Sequence, residues 1–223
     1  MTPGTLYLVP APLDFGCDSQ VALDRSMPAG TLEVAAGLQH WICENAKSTR
    51  AYLKRIAKTH SLCQPLQAMH LQELPHAVHK KGDHHGHFDA RYLLQPAVEG
   101  ANMGLVSEAG MPAIADPGSS VVRAAHDLGL PVVPLVGPVS LLLALAASGL
   151  SGQSFAFVGY LPNTPAERSQ RIDQRLPLRA ERVADVGEIE HAGTGSQQGG
   201  ACGEDGTERG GRQGIADTDA PRG

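Results

Sequence analysis

The stretch Met103-Gly-Leu-Val-Ser-Glu-Ala-Gly-Met-Pro-Ala-Ile-Ala-Asp-Pro-Gly118 decides the fold. A run of four small or apolar residues ends abruptly in a loop built from Gly, Pro and small polar residues, and a helical pattern follows over Gly118–Leu128. Downstream, Pro131–Val136 repeats the apolar run and Gly137-Pro-Val-Ser140 the turn, and Val139–Ala147 is apolar on every side, the pattern of a buried helix. Ser154-Phe-Ala-Phe-Val-Gly-Tyr160 is the pattern of one more strand. Short apolar strands that repeatedly end in Gly/Pro loops before helices imply a parallel sheet whose loops converge on one edge, where ligands bind.

Working outward, Thr5-Leu-Tyr-Leu-Val9 predicts a first strand stopped by Pro10-Ala-Pro12, and His40-Trp-Ile-Cys43 a second. A helix then runs to Thr59, capped by Asn45 or Ser48, with Tyr52, Leu53 and Ile56 on one face and Arg50, Lys54, Arg55 and Lys58 around them. Leu32–Ala36 fits helix and strand equally. Leu66–Leu71 is expected as a short strand, Phe88–Val98 as a helix with Gly100 at its C-terminal cap, and His76–His87 as a polar loop.

Composition divides the chain after Pro162. Residues 1–162 hold every aromatic residue, Met and Lys; residues 163–223 have none of these, and carry eight Arg, eleven Gly and only seven Val, Ile or Leu. Such a segment buries too little apolar surface to offset its ordering entropy, so it reads as a low-complexity, disordered tail. Ten Lys/Arg against twelve Asp/Glu in residues 1–162 leave no broad basic field for nucleic acid, although a local basic patch remains open. Cys17, Cys43, Cys63 and Cys202 lack CxxC spacing and read as free thiols of a reducing, cytoplasmic compartment. No signal-peptide pattern opens the chain, and the longest apolar run is too short to cross a bilayer.

Several short motifs carry chemistry. In Ser107-Glu-Ala-Gly-Met-Pro112, Gly110 lets backbone approach a ligand closely. Asp116 either orients a ligand or caps the next helix. Gly137-Pro-Val-Ser140 leaves a helix N-terminus open toward the sheet edge. Glu44-Asn-Ala-Lys-Ser-Thr-Arg50 joins an acid, two bases and two hydroxyls at a strand–helix junction, a set able to bind a polar substrate and supply a general base. Neither GxxxxGK[ST] nor GxGxxG occurs, which disfavours a phosphate-binding loop and a nicotinamide enzyme. His84-His-Gly-His87 has a spacing open to a metal but lacks a supporting Cys or carboxylate frame, so no metal is assigned.

In order along residues 4–162, Leu6-Tyr-Leu-Val-Pro-Ala-Pro-Leu13, Glu44–Arg50, Val106–Pro112, Ala115-Asp-Pro-Gly118, Val136-Gly-Pro-Val-Ser140 and Gly159-Tyr-Leu-Pro162 resemble the tetrapyrrole methylase superfamily, nearest its branch of small-subunit ribosomal RNA ribose 2′-O-methyltransferases. The resemblance implies a three-layer α/β/α N-terminal domain of class III methyltransferase type over residues 1–162, with a mostly parallel sheet, and a homodimer. It implies S-adenosylmethionine as cofactor, with Pro12, Ser107, Ala109, Gly110, Asp116, Gly137, Pro138 and Ser140 on the cofactor side. Lys47 and Arg50 face the substrate, and Glu44 is the candidate catalytic base. The implied acceptor is a ribosomal RNA ribose hydroxyl; a tetrapyrrole or other small molecule, or a non-catalytic remnant, are the alternatives.

The motifs also depart from the branch. Its TP-x-GN, EDTR and SDAGTP elements read here Ala11-Pro-Leu-Asp-Phe15, Glu44-Asn-Ala-Lys47 and Ser107–Pro112, so the cofactor loops are mostly kept and the substrate cluster is altered. The family continues past its Gly-x-Leu-Pro element into a second domain. Residues 163–223 lack that pattern, and the expectation is that this domain is lost here, replaced by a frameshifted segment from near residue 172.

Overall fold

The computed structural model describes residues 2–76, 78 and 88–174. The described residues fall into two units, divided between Gly159 and Tyr160.

The first unit is built on five parallel strands: β1 Leu6–Leu8, β2 His40–Cys43, β3 His70–Glu73, β4 Met103–Val106 and β5 Val132–Pro134, in the order β3-β2-β4-β1-β5. Leu6 pairs with Met103 on one side and Val132 on the other, and His40 pairs with both Met103 and His70. The helices are α1 Ala29–Ala36, α2 Ala46–Ile56, α3 Gln95–Val98 entered through a 3-10 turn at Arg91–Leu94, α4 Ser119–Asp127 and α5 Ser140–Ser148.

Because side chains alternate across a strand, β2 serves two cores. Trp41 and Cys43 pack with Leu32, Ala35, Leu53 and Ile56 of α1 and α2. Ile42 packs with Leu94, Ala97, Val121 and Ala125 of the opposite layer. This is the expected three-layer α/β/α arrangement around a parallel sheet. All of β4 is buried. Gly104 has a steric reason: a Cβ there would stand 2.6 Å from the Trp41 ring.

Five local expectations change. The ambiguous Leu32–Ala36 segment is the end of α1. Leu66–Ala68 is a 3-10 turn set by the fixed φ of Pro65, and the strand begins only at His70. Helical structure near residue 90 begins at Arg91, whose N–H donates to Asp89 Oδ1, rather than at Phe88. Ser154–Tyr160 forms no strand: strand propensity needs a ladder partner, and these seven residues are exposed. The apolar segment after Gly137 is helical as expected, but no residue of α5 is buried.

Of the second unit, Tyr160–Gln174 is described. It contains α6, Pro165–Asp173, with Thr164 at the N-cap position and Pro165 in its first turn. No helix among the described residues is long and apolar enough to cross a membrane. Cys17, Cys43 and Cys63 are free; the expectation for Cys202 and for the His84–His87 spacing falls outside the described residues.

Candidate functional site

Parallel strands deliver their C-terminal loops to one edge, and here β1, β2 and β4 do so side by side. The loop after β1 is locked to the loop after β4 by a reciprocal pair of backbone hydrogen bonds: Ala11 N–H donates to the Gly110 carbonyl at 2.8 Å and Gly110 N–H to the Ala11 carbonyl at 2.9 Å. Gly110 is buried with φ +71°, and a Cβ would lie 3.4 Å from Leu13 and 3.7 Å from the Pro138 carbonyl oxygen. Three motifs distant in sequence therefore meet at this glycine. The next turn is closer still: a Cβ on Gly137 would be 2.2 Å from Cγ of Pro10, so only glycine fits.

Carboxylates gather at the same edge. Glu44, just past β2, accepts through Oε2 from the Glu108 N–H at 3.2 Å, while its own N–H donates to the Val106 carbonyl. Ser107 is buried, and its hydroxyl donates to the Ala109 carbonyl at 3.2 Å. Burial pushes the Asp116 carboxyl up to about 6; the charges of Glu44 and Glu108 add to this, and a hydrogen bond with Ser107 opposes it. The result is a partly desolvated anionic patch facing backbone donors and acceptors. It suits a ligand with positive charge and polar edges.

Ala113 and Ala115, in the same loop, have φ of 65° and 63°. Left-handed backbone costs a residue with a Cβ about 1–2 kcal/mol, and such strain concentrates at ligand clamps.

A pocket opens beside this edge. The β1 loop lines it with Ala11, Pro12, Asp14, Phe15, Gly16 and Gln20, α2 with Ser48, Thr49, Ala51, Tyr52 and Arg55, and β4 with Val106, Ser107 and Glu108. Two side chains of α2 pin the β1 loop. Tyr52 donates its hydroxyl to the Pro10 carbonyl at 3.0 Å, and its burial raises the phenol well above its ordinary range. Arg55 makes a bidentate pair with Asp14 at 2.8 and 2.7 Å and donates also to the Val21 carbonyl. The Arg55 guanidinium holds the Asp14 carboxyl below its ordinary value.

The structure thus brings Pro12, Ser107, Ala109, Gly110, Asp116, Pro138 and Glu44 into one neighbourhood, with Gly137 packed beneath it on Pro10. Asp116 does not cap α4, whose N-cap is Gly118 at φ +131°. Ser140 opens α5 and is exposed. Lys47 and Arg50 stand on the exposed face of α2, and neither side chain forms an ion pair with the described residues. Sequence reasoning missed Asp14, Tyr52, Arg55 and Glu108: Tyr52 reads as core and Arg55 as a solvated cation, because the contacts that define them span about 40 residues, from the β1 loop to α2. Cys43 also sits near the edge, but burial pushes its thiol up to about 11, which makes it a poor nucleophile. Among the described residues no group of three His, Cys, Asp or Glu side chains is arranged to hold a metal ion.

Ribosomal RNA small subunit methyltransferase I of Xylella fastidiosa is 32% identical over 77% of this chain and 54% of that protein. The protein of the same name from Escherichia coli O157:H7 is 32% identical over 80% of this chain and 53% of its own length. That of Bacillus subtilis is 28% identical over 81% and 53%. The chain spans about half the length of the curated relatives it matches. No family model matches the chain.

Proposed function

Since this chain belongs, over the part that aligns, to the tetrapyrrole methylase superfamily, we propose that it is built for methyl transfer from S-adenosylmethionine to a ribose hydroxyl of small-subunit ribosomal RNA. The same reading takes it as a cytoplasmic protein that pairs as a homodimer. The observation that carries the proposal is the edge where Gly110, Pro138, Ser107, Asp116 and Glu44 converge.

The residues present fit that cofactor. It carries a sulfonium, an ammonium and a carboxylate on a flexible chain, besides an adenine ring. Asp116 and its acidic neighbours complement positive charge. The Gly110 crossing offers backbone at close range, where a side chain would fill the space. When bound, S-adenosylmethionine supplies an electrophilic methyl group on its positive sulfur. The protein's task is then chiefly alignment, which converts a bimolecular encounter into a positioned one. Pro12, Ser107, Ala109, Gly110, Asp116, Gly137, Pro138 and Ser140 form the cofactor side, and Lys47 and Arg50 hold the acceptor. Glu44 is the residue that takes the hydroxyl proton. Its carboxylate is held by the Glu108 N–H through one oxygen, which leaves the other available.

The test is calorimetric titration of the purified chain with S-adenosylmethionine, followed by transfer of a labelled methyl group to small-subunit RNA. Binding that is lost in Asp116→Asn supports the reading. A folded chain that binds no S-adenosylmethionine refutes it.

A further inference from the structure

Between Ala46 and Lys58 the chain carries Lys47, Arg50, Lys54, Arg55 and Lys58 and not one Asp or Glu, in a protein whose net charge is −5. At about 100° per residue, Lys47, Arg50, Lys54 and Lys58 fall within an arc of roughly 80° on α2 and the turn that follows it. All four are exposed, and none forms an ion pair with the described residues.

Two features argue that this is more than a solvated face. Arg50, Lys54 and Lys58 are spaced i, i+4, i+8, a like-charge arrangement that weakens a helix, and no interleaved acid relieves it. Lys54 and Lys58 complement the negative end of the helix dipole. Lys47 lies in the first turn, at the positive end, where a cation is unfavourable. The helix therefore bears an electrostatic cost that a bound polyanion would remove.

The adjoining arc of α2, Ser48, Ala51 and Arg55, lines the pocket together with Phe15. Arg55 is already neutralised by Asp14. Phe15, on the pinned β1 loop, is 52% exposed, a large ring kept in solvent next to the cationic arc. A positive track flanked by an exposed aromatic ring is how single-stranded nucleic acid is held: phosphates on the cations, a base stacked on the ring. An acidic peptide would use the cations but not the ring. The carboxylates at the strand ends repel phosphate, so the strand's charge is kept on α2 while a sugar reaches the edge.

We infer that the Lys47–Arg50–Lys54–Lys58 face of α2, with Phe15 beside it, is the docking track for a single strand of RNA. The inference rests on the RNA-acceptor reading and deepens it, since it names the surface that receives the acceptor. Its readout is binding alone, without S-adenosylmethionine, so the two readings fail separately.

The test is fluorescence anisotropy of the full chain with a short labelled oligouridylate across a salt series. The wild-type chain binds, and its affinity falls with salt. Lys54→Gln/Lys58→Gln lowers the slope of log affinity against log salt by about 1.4, two phosphate contacts at about 0.7 each. Lys54→Arg/Lys58→Arg keeps the slope. Phe15→Ala weakens binding about fivefold or more, with the slope unchanged. All three variants alter exposed side chains, and circular dichroism verifies that each is folded. Absence of oligouridylate binding at low salt, a wild-type slope in the double Gln variant, or preference for a duplex of equal length overturns the inference.

Discussion

At the strand ends Asp116 shares its surroundings with the charges of Glu44 and Glu108. Its carboxyl is pushed up to about 6 from an ordinary 3.8, first by burial and then by Glu44. An acid whose folded pKa lies above its unfolded one binds its proton more tightly when folded. The native state thus gains from this group below about pH 4 and loses that gain as pH rises to about 6; above that, the ionised form is a net cost. Two opposite effects follow for Asp116→Asn. At neutral pH the variant melts higher than wild type in the absence of ligand, and this advantage shrinks as pH falls through 6 toward 4. In the presence of S-adenosylmethionine it gains little, because a neutral amide weakens a charge-assisted contact about tenfold or more. In wild type, affinity for the cofactor climbs as pH rises through about 6 and Asp116 ionises. Thermal melts with and without ligand at several pH values check both. A variant no more stable than wild type at neutral pH, or one that keeps the full ligand-induced shift, would sink this account. Asp116 was visible in the sequence only as a choice between ligand orienter and helix cap. The structure puts Gly118, at φ +131°, in the N-cap position of that helix.

Elements were legible where periodicity and capping agreed. Asn45 ahead of a helix with Tyr52, Leu53 and Ile56 on one side is a local signal, and the structure has Asn45 Oδ1 accepting from the N–H groups of Lys47 at 2.8 Å and Ser48 at 3.3 Å. Replacing that acceptor with Ala removes both bonds and costs about 1 kcal/mol of stability. Asn45→Asp keeps them and is near neutral. Chemical denaturation measures the pair, and equal midpoints for Asn45→Ala and wild type would show that the cap is not holding α2. The consequence is functional as well as structural, since α2 positions Tyr52 and Arg55 against the β1 loop and presents the cationic face. Elements were illegible where tertiary partners decide. Ser154–Tyr160 has the aromatic and β-branched content of a strand but no ladder to join, and Leu66–Leu71 yields to Pro65. Strand order was equally hidden. That β1 lies between β4 and β5 depends on where the crossovers pack, which no single segment encodes.

At the scale of the molecule, the two cores are closed on both faces of the sheet, yet α5 stands outside them. The sequence Ser140-Leu-Leu-Leu-Ala-Leu-Ala-Ala-Ser148 is apolar on every side, which predicts burial, but none of its residues is buried, and Leu142 and Leu143 are 49% and 56% exposed. Nearby in sequence, Val136 is 73% and Phe155 54% exposed. Pattern reasoning reports what a segment would gain from burial and says nothing of whether a partner is there to provide it. Apolar surface left in water lowers solubility and binds apolar probes, because each square ångström buried returns roughly 25 cal/mol. The purified chain is therefore expected to enhance the fluorescence of an apolar dye and to self-associate as concentration rises. Leu142→Glu/Leu143→Glu should suppress both. Leu and Glu have nearly equal helix propensity, and both sites are exposed, so the helical signal in circular dichroism should stay the same and the melting point should move little. Dye titration and light scattering on the two proteins decide the matter. Undiminished dye binding in the double variant would mean that α5 is not the apolar face responsible, whereas a collapse of the melting point would mean that these leucines are packed in the folded chain.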